Sequence, residues 1–490
     1  MLAYRDLGKL LLGGAAIKLL GIAATLIFVR LLTKEQLAIF PIYMMLRGLA
    51  DGMLDFGITS YFIRMLPSFL REGRDKARSL LRAGIPIVYA GLAVVTVATF
   101  LFSDQIARVL LADASSGWIV RIFCLGFFPF TTSKICEYII WGRGQFGTLS
   151  FLQTLESLIR PIAVVALFFM AGVTGVVAAF VVVEVCLAAA YLFCIRDLFG
   201  GARPERYPAR QLLREAFPCY VEGWLWRLRS DGDNWLVSIL LGPSALAIYY
   251  VAGIMVSQTT LLFYSVDRVV VERLGRHLGK PESIAEKTLA LHSVVSRFML
   301  PVLLWLLAMT PLAVVVIGGQ RYTEAVAPAL VLMLGAIARF AFMPVDRSVF
   351  VGTSPRYRTY KTTVEAVVVF ATAAALMPLA GLSGIAAAKL AGQVAGGIYG
   401  LSLLKRMLAL KLPFAEAGRA LLTAGPGTAL VLWFIPPVGS AIEAVVVAGF
   451  ASAAWLLSFL VLVGVFDRPY IGAFIAEVRR AVGREPRTTS

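Results

Sequence analysis

Charge is the scarcest commodity in this sequence. Only 15% of its 490 residues are Asp, Glu, Lys or Arg, where a soluble domain carries about a quarter. Acids are rarer than bases, 29 against 46. There are only two histidines, His277 and His292, and neither has a partner at metal-ligand spacing. The five cysteines (Cys124, Cys136, Cys186, Cys194, Cys219) fall in or beside apolar runs and read as small core residues. Glycine pairs such as Gly318-Gly319 lack the lysine and hydroxyl of a phosphate loop. No Walker motif is present, so the chain is not expected to hydrolyse ATP. Neither a metal nor a cofactor is expected. Asp231-Gly232-Asp233 has the D-x-D form of a sugar-nucleotide transferase, but no nucleotide-binding domain surrounds it, so an enzyme is not expected.

What the chain has instead is hydrophobicity: 59% apolar residues and a mean hydropathy of +0.82. Runs of about 20 apolar residues recur throughout, each long enough for a bilayer core of about 30 Å. A spanning barrel would show short alternating segments, so the expected fold class is an all-α integral membrane protein. Candidate spans are 8–32, 37–63, 80–102, 118–141, 148–171, 174–195, 215–241, 245–271, 290–317, 325–350, 360–379, 383–404, 418–436 and 440–466, fourteen in all. The first, from Leu10 to Leu32, is too long for a cleaved signal peptide and is expected to remain as a helix. The formal charge of +17 belongs to loops between spans and not to one basic module, which argues against nucleic acid. Loops 64–82, 196–214 and 268–287 are rich in Lys and Arg, whereas 172–174, 242–244, 380–382 and 437–439 have none. The positive-inside rule places both termini in the cytoplasm, in accord with an even number of spans.

The sequence also matches itself at an offset of 209 residues. Ala171-Gly172-Val173-Thr174-Gly175 falls on Ala380-Gly381-Leu382-Ser383-Gly384, and Thr154-Leu155-Glu156 on Thr363-Val364-Glu365. One gapless register runs from span 1 to span 6. The expected organisation is an N-lobe at 1–195, a basic linker at 196–214, a C-lobe at 215–404, a hairpin of spans 13 and 14 at 405–466 and a basic cytoplasmic tail at 467–490. Six spans is an even number, so both copies keep one orientation. Two six-helix lobes related by a pseudo-two-fold along the membrane normal are expected, an arrangement known among transporters with the substrate between the halves.

Arg30–Tyr43, RLLTKEQLAIFPIY, is similar to the stretch after the first span of Wzx-type flippases, with Ala38 where glycine is usual. Asp233–Ala252, DNWLVSILLGPSALAIYYVA, resembles its second-lobe counterpart. Together with the 6+6+2 plan, the chain resembles the polysaccharide transporter branch of the multidrug/oligosaccharidyl-lipid/polysaccharide exporter superfamily. That resemblance implies a flippase of the bacterial inner membrane. Its cargo would be an oligosaccharide on undecaprenyl pyrophosphate, a repeat unit of O-antigen, capsule or exopolysaccharide, moved to the outer leaflet by alternating access. The implied partners are this anionic glycan lipid, membrane lipids and a glycan polymerase, and a monomer is expected.

Ten cations (Lys18, Arg47, Lys134, Arg160, Arg227, Arg229, Arg297, Arg339, Arg347 and Lys389) lie within candidate spans. Each costs about 2.5–3.5 kcal/mol facing lipid at mid-depth, so most must face protein or water. One reading is neutralisation along a helix: Arg47 with Asp51 and Asp55, Glu156 with Arg160, Arg227 with Asp231, and Arg229 with Asp233 have helical spacing. The other is a cationic cavity for the anionic head of the cargo. The 209-residue offset places Lys18 on Arg227, which makes these two its expected core, with Arg47, Arg297 and Arg339 as further members. Asp51, Asp55 and Glu222 are candidates for ion coupling. Trp224, Trp226, Trp235, Tyr249 and Tyr250 are candidates for stacking on sugars or for anchoring at the interface.

Three rivals remain. A cation-coupled multidrug exporter of the same superfamily normally stops at twelve spans. A lipid II flippase usually carries an Arg-Asp pair where this chain has Arg30-Leu31. A glycan polymerase or ligase would show a large outer loop, which is missing.

Overall fold

The computed structural model describes residues 26–53, 55–143, 145–198, 207–257, 295–352, 355–408 and 414–466, and residues 259, 286, 288–289 and 292–293 besides. Lys18, loop 268–285 and the tail from 467 lie outside them. Among the described residues every regular element is helical. The chain divides into two compact units, Met1–Tyr250 and Val251–Ser490.

In the first unit the helices are α1 (Lys34–Met53), α2 (Ile58–Glu72), α3 (Arg74–Leu101), the short α4 (Ser103–Leu110), α5 (Gly117–Gly142), α6 (Phe146–Ile195) and α7 (Ala209–Leu241), followed by α8 (Pro243–Ser257). Thr33 and Gln36 start α1 with a reciprocal capping box: each backbone N–H donates to the other's side chain, at 3.1 and 3.2 Å. The second candidate span was expected to run unbroken from 37 to 63. It is instead two helices, parted where Phe56 and Gly57 take positive φ (51° and 76°). Asp55 re-starts the chain there, accepting from the Gly57 N–H at 2.9 Å and from the Thr59 hydroxyl. The sequence carries a trace of this break, since residues 51–57 hold two aspartates and two glycines.

The 50-residue α6 would extend about 75 Å if straight, more than twice a bilayer core. It turns back at Ala171 and Gly172, where φ/ψ of Gly172 is 58°/−136°. The two arms touch: Arg160 reaches Glu184 at 3.1 Å although 24 residues separate them. A Cβ at Gly175 would overlap the Leu167 carbonyl, so only glycine allows the arms to close so tightly.

The second unit contains α9 (Leu300–Gly318), α10 (Val326–Gly352), α11 (Pro355–Leu408), α12 (Phe414–Phe434) and α13 (Ala441–Phe466), with a π-helical turn at Val295–Met299 leading into α9. Helix α11 repeats the design of α6. Its non-helical residue is Gly381 at φ/ψ 52°/−125°, 209 residues after Gly172. A Cβ at Gly384 would overlap the Leu376 carbonyl, 209 residues after the Gly175–Leu167 contact. Helices α12 and α13 dock on α9: the Thr428 hydroxyl donates to the Leu304 carbonyl at 3.1 Å and the Trp305 indole N–H to Ser452 at 3.1 Å. Their other side carries Trp433, Phe434, Ile442 and Phe450, all exposed, as lipid contact requires.

Among the described residues seven helical stretches are long and apolar enough to cross a membrane, and two of them, of 49 and 51 residues, are these hairpins. Counting both arms of each hairpin, the remaining helices and the helical end of the first span at residues 26–31, the chain accounts for about fourteen crossings. The seventh candidate span, 215–241, is polar for a span, and it forms a continuous helix of 33 residues. It packs on α1, α2 and α3, so the boundary between the compact units falls after α7, whereas the sequence repeat restarts before it.

Candidate functional site

A connected cluster of charge within the spans lies in the first unit, where α1, α5 and both arms of α6 meet. At its centre is Glu184, with a side chain 2% exposed. Its Oε1 accepts from the Tyr43 hydroxyl at 3.0 Å, from Arg47 Nη1 at 2.8 Å and from Arg160 Nη2 at 3.1 Å. Arg160 Nη2 also donates to Glu156 at 2.6 Å. The Arg47 guanidinium lies 4.0 Å from the centre of the Phe130 ring, a cation–π contact that fixes its plane. Glu184 and Arg160 lie 12 residues either side of Gly172, or about 18 Å of helix from the turn. Arg47 is 13 residues into α1, about 20 Å. All three therefore sit deep in the spans, where unpaired charge is most costly.

Arg47 was open to pairing along its own helix or to membership of the cationic cavity. It pairs across to Glu184, the Asp51 side chain lying outside the described ones. The Glu156–Arg160 pair forms as the spacing implied. Glu184 itself escaped the sequence reading, although the signal was visible: it is the single acid in candidate span 174–195.

Of the expected cavity residues, Arg47 and Arg227 come to one element. The Arg227 guanidinium lies against Gly52 of α1, so that a Cβ there would overlap it. Lys18, its repeat partner, is outside the described residues. Arg297 lies in the second unit and donates to Glu416 at 3.1 Å; with Pro301, Arg419, Ala420, Thr423 and Val463 the pair lines a small recess beside α12. Arg339 is half-buried on α10 and Glu222 half-buried on α7. Asp55, a candidate for ion coupling, is buried and holds the start of α2. Asp233 accepts from the Tyr249 hydroxyl at 2.8 Å, and both residues are buried. Trp226 is exposed.

The second unit has its own buried group. Lys361 bridges Glu365, one turn away, and Asp346 of α10 at 3.1 Å. Asp346 and Glu365 are the repeat counterparts of Glu137 and Glu156. In the first copy Glu137 takes Lys134 at 2.8 Å and Gln153 at 2.9 Å. The acids thus recur between copies while their cations change position. Among the described residues no group of His, Cys, Asp and Glu could hold a metal ion.

Outside the spans, Arg143 at the end of α5 grips Asp197 with two bonds of 2.9 and 3.0 Å. This hydrogen-bonded pairing holds the Asp197 carboxyl below its usual range.

Comparison with known proteins places this architecture. A solved structure titled as the lipid II flippase MurJ in an inward closed conformation superposes with a TM-score of 0.74 at 13% identity, covering 94% of this chain and 99% of its own. A multidrug resistance MATE family transporter of the MOP superfamily, in an inward-facing conformation, gives a TM-score of 0.62 at 14% identity over 81% of this chain and 98% of its own. The Vibrio cholerae MATE transporter VcmN in its bent form gives 0.56 at 15%, covering 84% and 98%. At such identities the likeness is one of fold, and it is the fold of the multidrug/oligosaccharidyl-lipid/polysaccharide exporter superfamily. No curated protein matches the chain in sequence. The profile of the family described as polysaccharide biosynthesis protein matches residues 27–327, more than half of the chain, and the chain belongs to that family.

Proposed function

We propose that this protein is a flippase of polysaccharide assembly that moves an undecaprenyl-pyrophosphate-linked oligosaccharide from the inner to the outer leaflet of a bacterial plasma membrane by alternating access. The observation that carries the reading is the family match over residues 27–327: a polysaccharide biosynthesis protein built of spanning helices is suited to carrying an intermediate across the bilayer. The fold shared with a lipid II flippase supports a lipid-linked cargo. Deep cations in the first unit, Arg47 and Arg160, suit a cargo with an anionic head, since guanidinium offers paired donors to phosphate oxygens. An inside-negative potential favours outward movement of that charge by about 2.3 kcal/mol per charge per 100 mV.

Deletion of the chain, followed by extraction of lipid-linked glycans with their leaflet assigned, tests the proposal. Repeat units trapped facing the cytoplasm support it. A second reading, transport of lipid II, draws on the lipid II flippase fold; accumulation of lipid II in the same extract would decide for it.

A further inference from the structure

The internal repeat shows what the fold itself requires at each position of the charged cluster. The second copy, 209 residues on, carries Ala252 for Tyr43, Val256 for Arg47, Val369 for Arg160 and Gln393 for Glu184. The hairpin of α11 still forms, with the same positive-φ glycine and the same tight glycine contact. The hairpin therefore forms without the arginine pair or Glu184, although it keeps a buried acid, Glu365, met by Lys361 from its own arm. A buried ion cluster is no better for stability than apolar packing, because the desolvation of its charges offsets their attraction. The cluster in the first copy calls for a reason other than holding helices together.

Its geometry supplies one. Two guanidinium groups converge on one carboxylate oxygen. Arg160 has a side chain nine-tenths buried, and among the described residues its Nη1 has no hydrogen-bond acceptor, a costly state for a charged donor. Arg47 uses only Nη1 toward Glu184, with its plane set by Phe130. Its side chain remains 18% exposed. Two arginines with donors left over, oriented before any ligand arrives, form a receptor for an oxyanion with more oxygens than one carboxylate can present.

We propose that Arg47 and Arg160 form a phosphate receptor which Glu184 fills as an internal stand-in, and that a phosphate or pyrophosphate group displaces Glu184 when it binds. The assignment of that group to a lipid-linked cargo rests on the function proposed above. In the empty state Glu184 neutralises the two cations and holds them in place. When the ligand's oxygens take the guanidinium groups, the released carboxylate is repelled by the ligand, so the second arm of α6, which carries it, responds to occupancy. The second copy, with Gln393 and no arginine pair at these positions, has no equivalent receptor.

The test is binding of inorganic pyrophosphate to the purified full chain in lipid nanodiscs by calorimetry, with a polyprenyl diphosphate in the same nanodiscs as a second arm. Glu184→Gln removes the stand-in and is expected to tighten pyrophosphate binding at least tenfold. Arg160→Gln is expected to weaken it at least tenfold, with partial recovery in Arg160→Lys. A variant carrying the second copy's residues (Tyr43→Ala, Arg47→Val, Arg160→Val, Glu184→Gln) is expected to fold, as the second copy does, and to lose binding. Its unfolding temperature guards against misreading a collapsed single variant. Competition between the two ligands identifies the lipid head as the natural occupant; binding of inorganic pyrophosphate without competition overturns that part. Unchanged affinity in Glu184→Gln, or in the four-residue variant, overturns the receptor. If these affinities follow the proposal while deletion leaves glycan export normal, the receptor stands and the export function fails.

Discussion

Asp55 illustrates how a side chain's work depends on the backbone around it. By spacing it belongs with Arg47 and Asp51 on one helix face. The break at Phe56 and Gly57 removes it from that helix and makes it a brace for the turn into α2, accepting from the N–H of the N-cap Gly57 and from the Thr59 hydroxyl. Asp55→Ala should cost about 1–3 kcal/mol, as loss of hydrogen bonds to a buried carboxylate does, and Asp55→Ser should restore part of it. Thermal unfolding in detergent measures both; a serine variant no more stable than alanine would refute the bracing role. At the Asp197–Arg143 clamp the carboxyl is held low, so its contribution is present above the ordinary carboxylate range and disappears as pH falls through the lowered value. Because Asp197 is half exposed, Asp197→Asn should cost under about 1 kcal/mol at neutral pH. The difference between the two proteins should begin to shrink as pH falls below about 4 and close once pH has passed the lowered value; a difference unchanged throughout the fall would show another cause. At this scale the sequence was only partly legible. The Glu156–Arg160 pair follows from helical spacing, which is local. The Arg47–Glu184 pair joins residues 137 apart and depends on which faces of two helices meet, which spacing along one helix does not specify.

At the scale of elements the hairpins carry most of the argument. Gly172 and Gly381 take φ/ψ values open to glycine almost alone, and Gly175 and Gly384 let each pair of arms close. Gly175→Ala and Gly384→Ala should each destabilise the protein by about 1–3 kcal/mol through overpacking. Gly147→Ala and Gly418→Ala, where an added Cβ meets nothing within 4 Å, serve as controls. Detergent-solubilised yield and unfolding temperature are the readouts, and equal behaviour of the two pairs would contradict the close approach. The element pattern was largely readable in advance because bilayer thickness fixes span length. Even polar α7 could be found, since the repeat aligns it with the first span. The break within the second span was missed, although two aspartates and two glycines within residues 51–57 interrupt the apolar run there. Nor did the repeat disclose that α7 packs on the helices before it, since self-similarity records ancestry of sequence and not choice of neighbours.

For the whole molecule, duplication and charge bias make separate statements. The duplication is visible in both units as matching turns and matching acids. The charge bias implies that loops 64–82 and 196–214 face the cytoplasm. Cysteines placed at Gly73 and Ala209 in a cysteine-free background should resist an impermeant reagent in intact cells and react after permeabilisation. Labelling of intact cells at either position would reverse the topology. The membrane-spanning class followed from composition, and the family from loose motifs on top of the repeat. The glycan itself is not written in charge or hydropathy, because recognition of a sugar depends on a few polar groups whose placement is set by the assembled helices. The central claim is that this chain carries a lipid-linked oligosaccharide across the bilayer. It is tested most directly by reconstituting the purified protein in sealed vesicles loaded with the labelled lipid-linked repeat unit and measuring how much becomes accessible to an impermeant glycosidase outside. The account predicts exposure beyond the half already on the outer leaflet, at a rate that rises with the amount of protein and falls sharply in Arg160→Gln. Exposure no faster than in protein-free vesicles would contradict it.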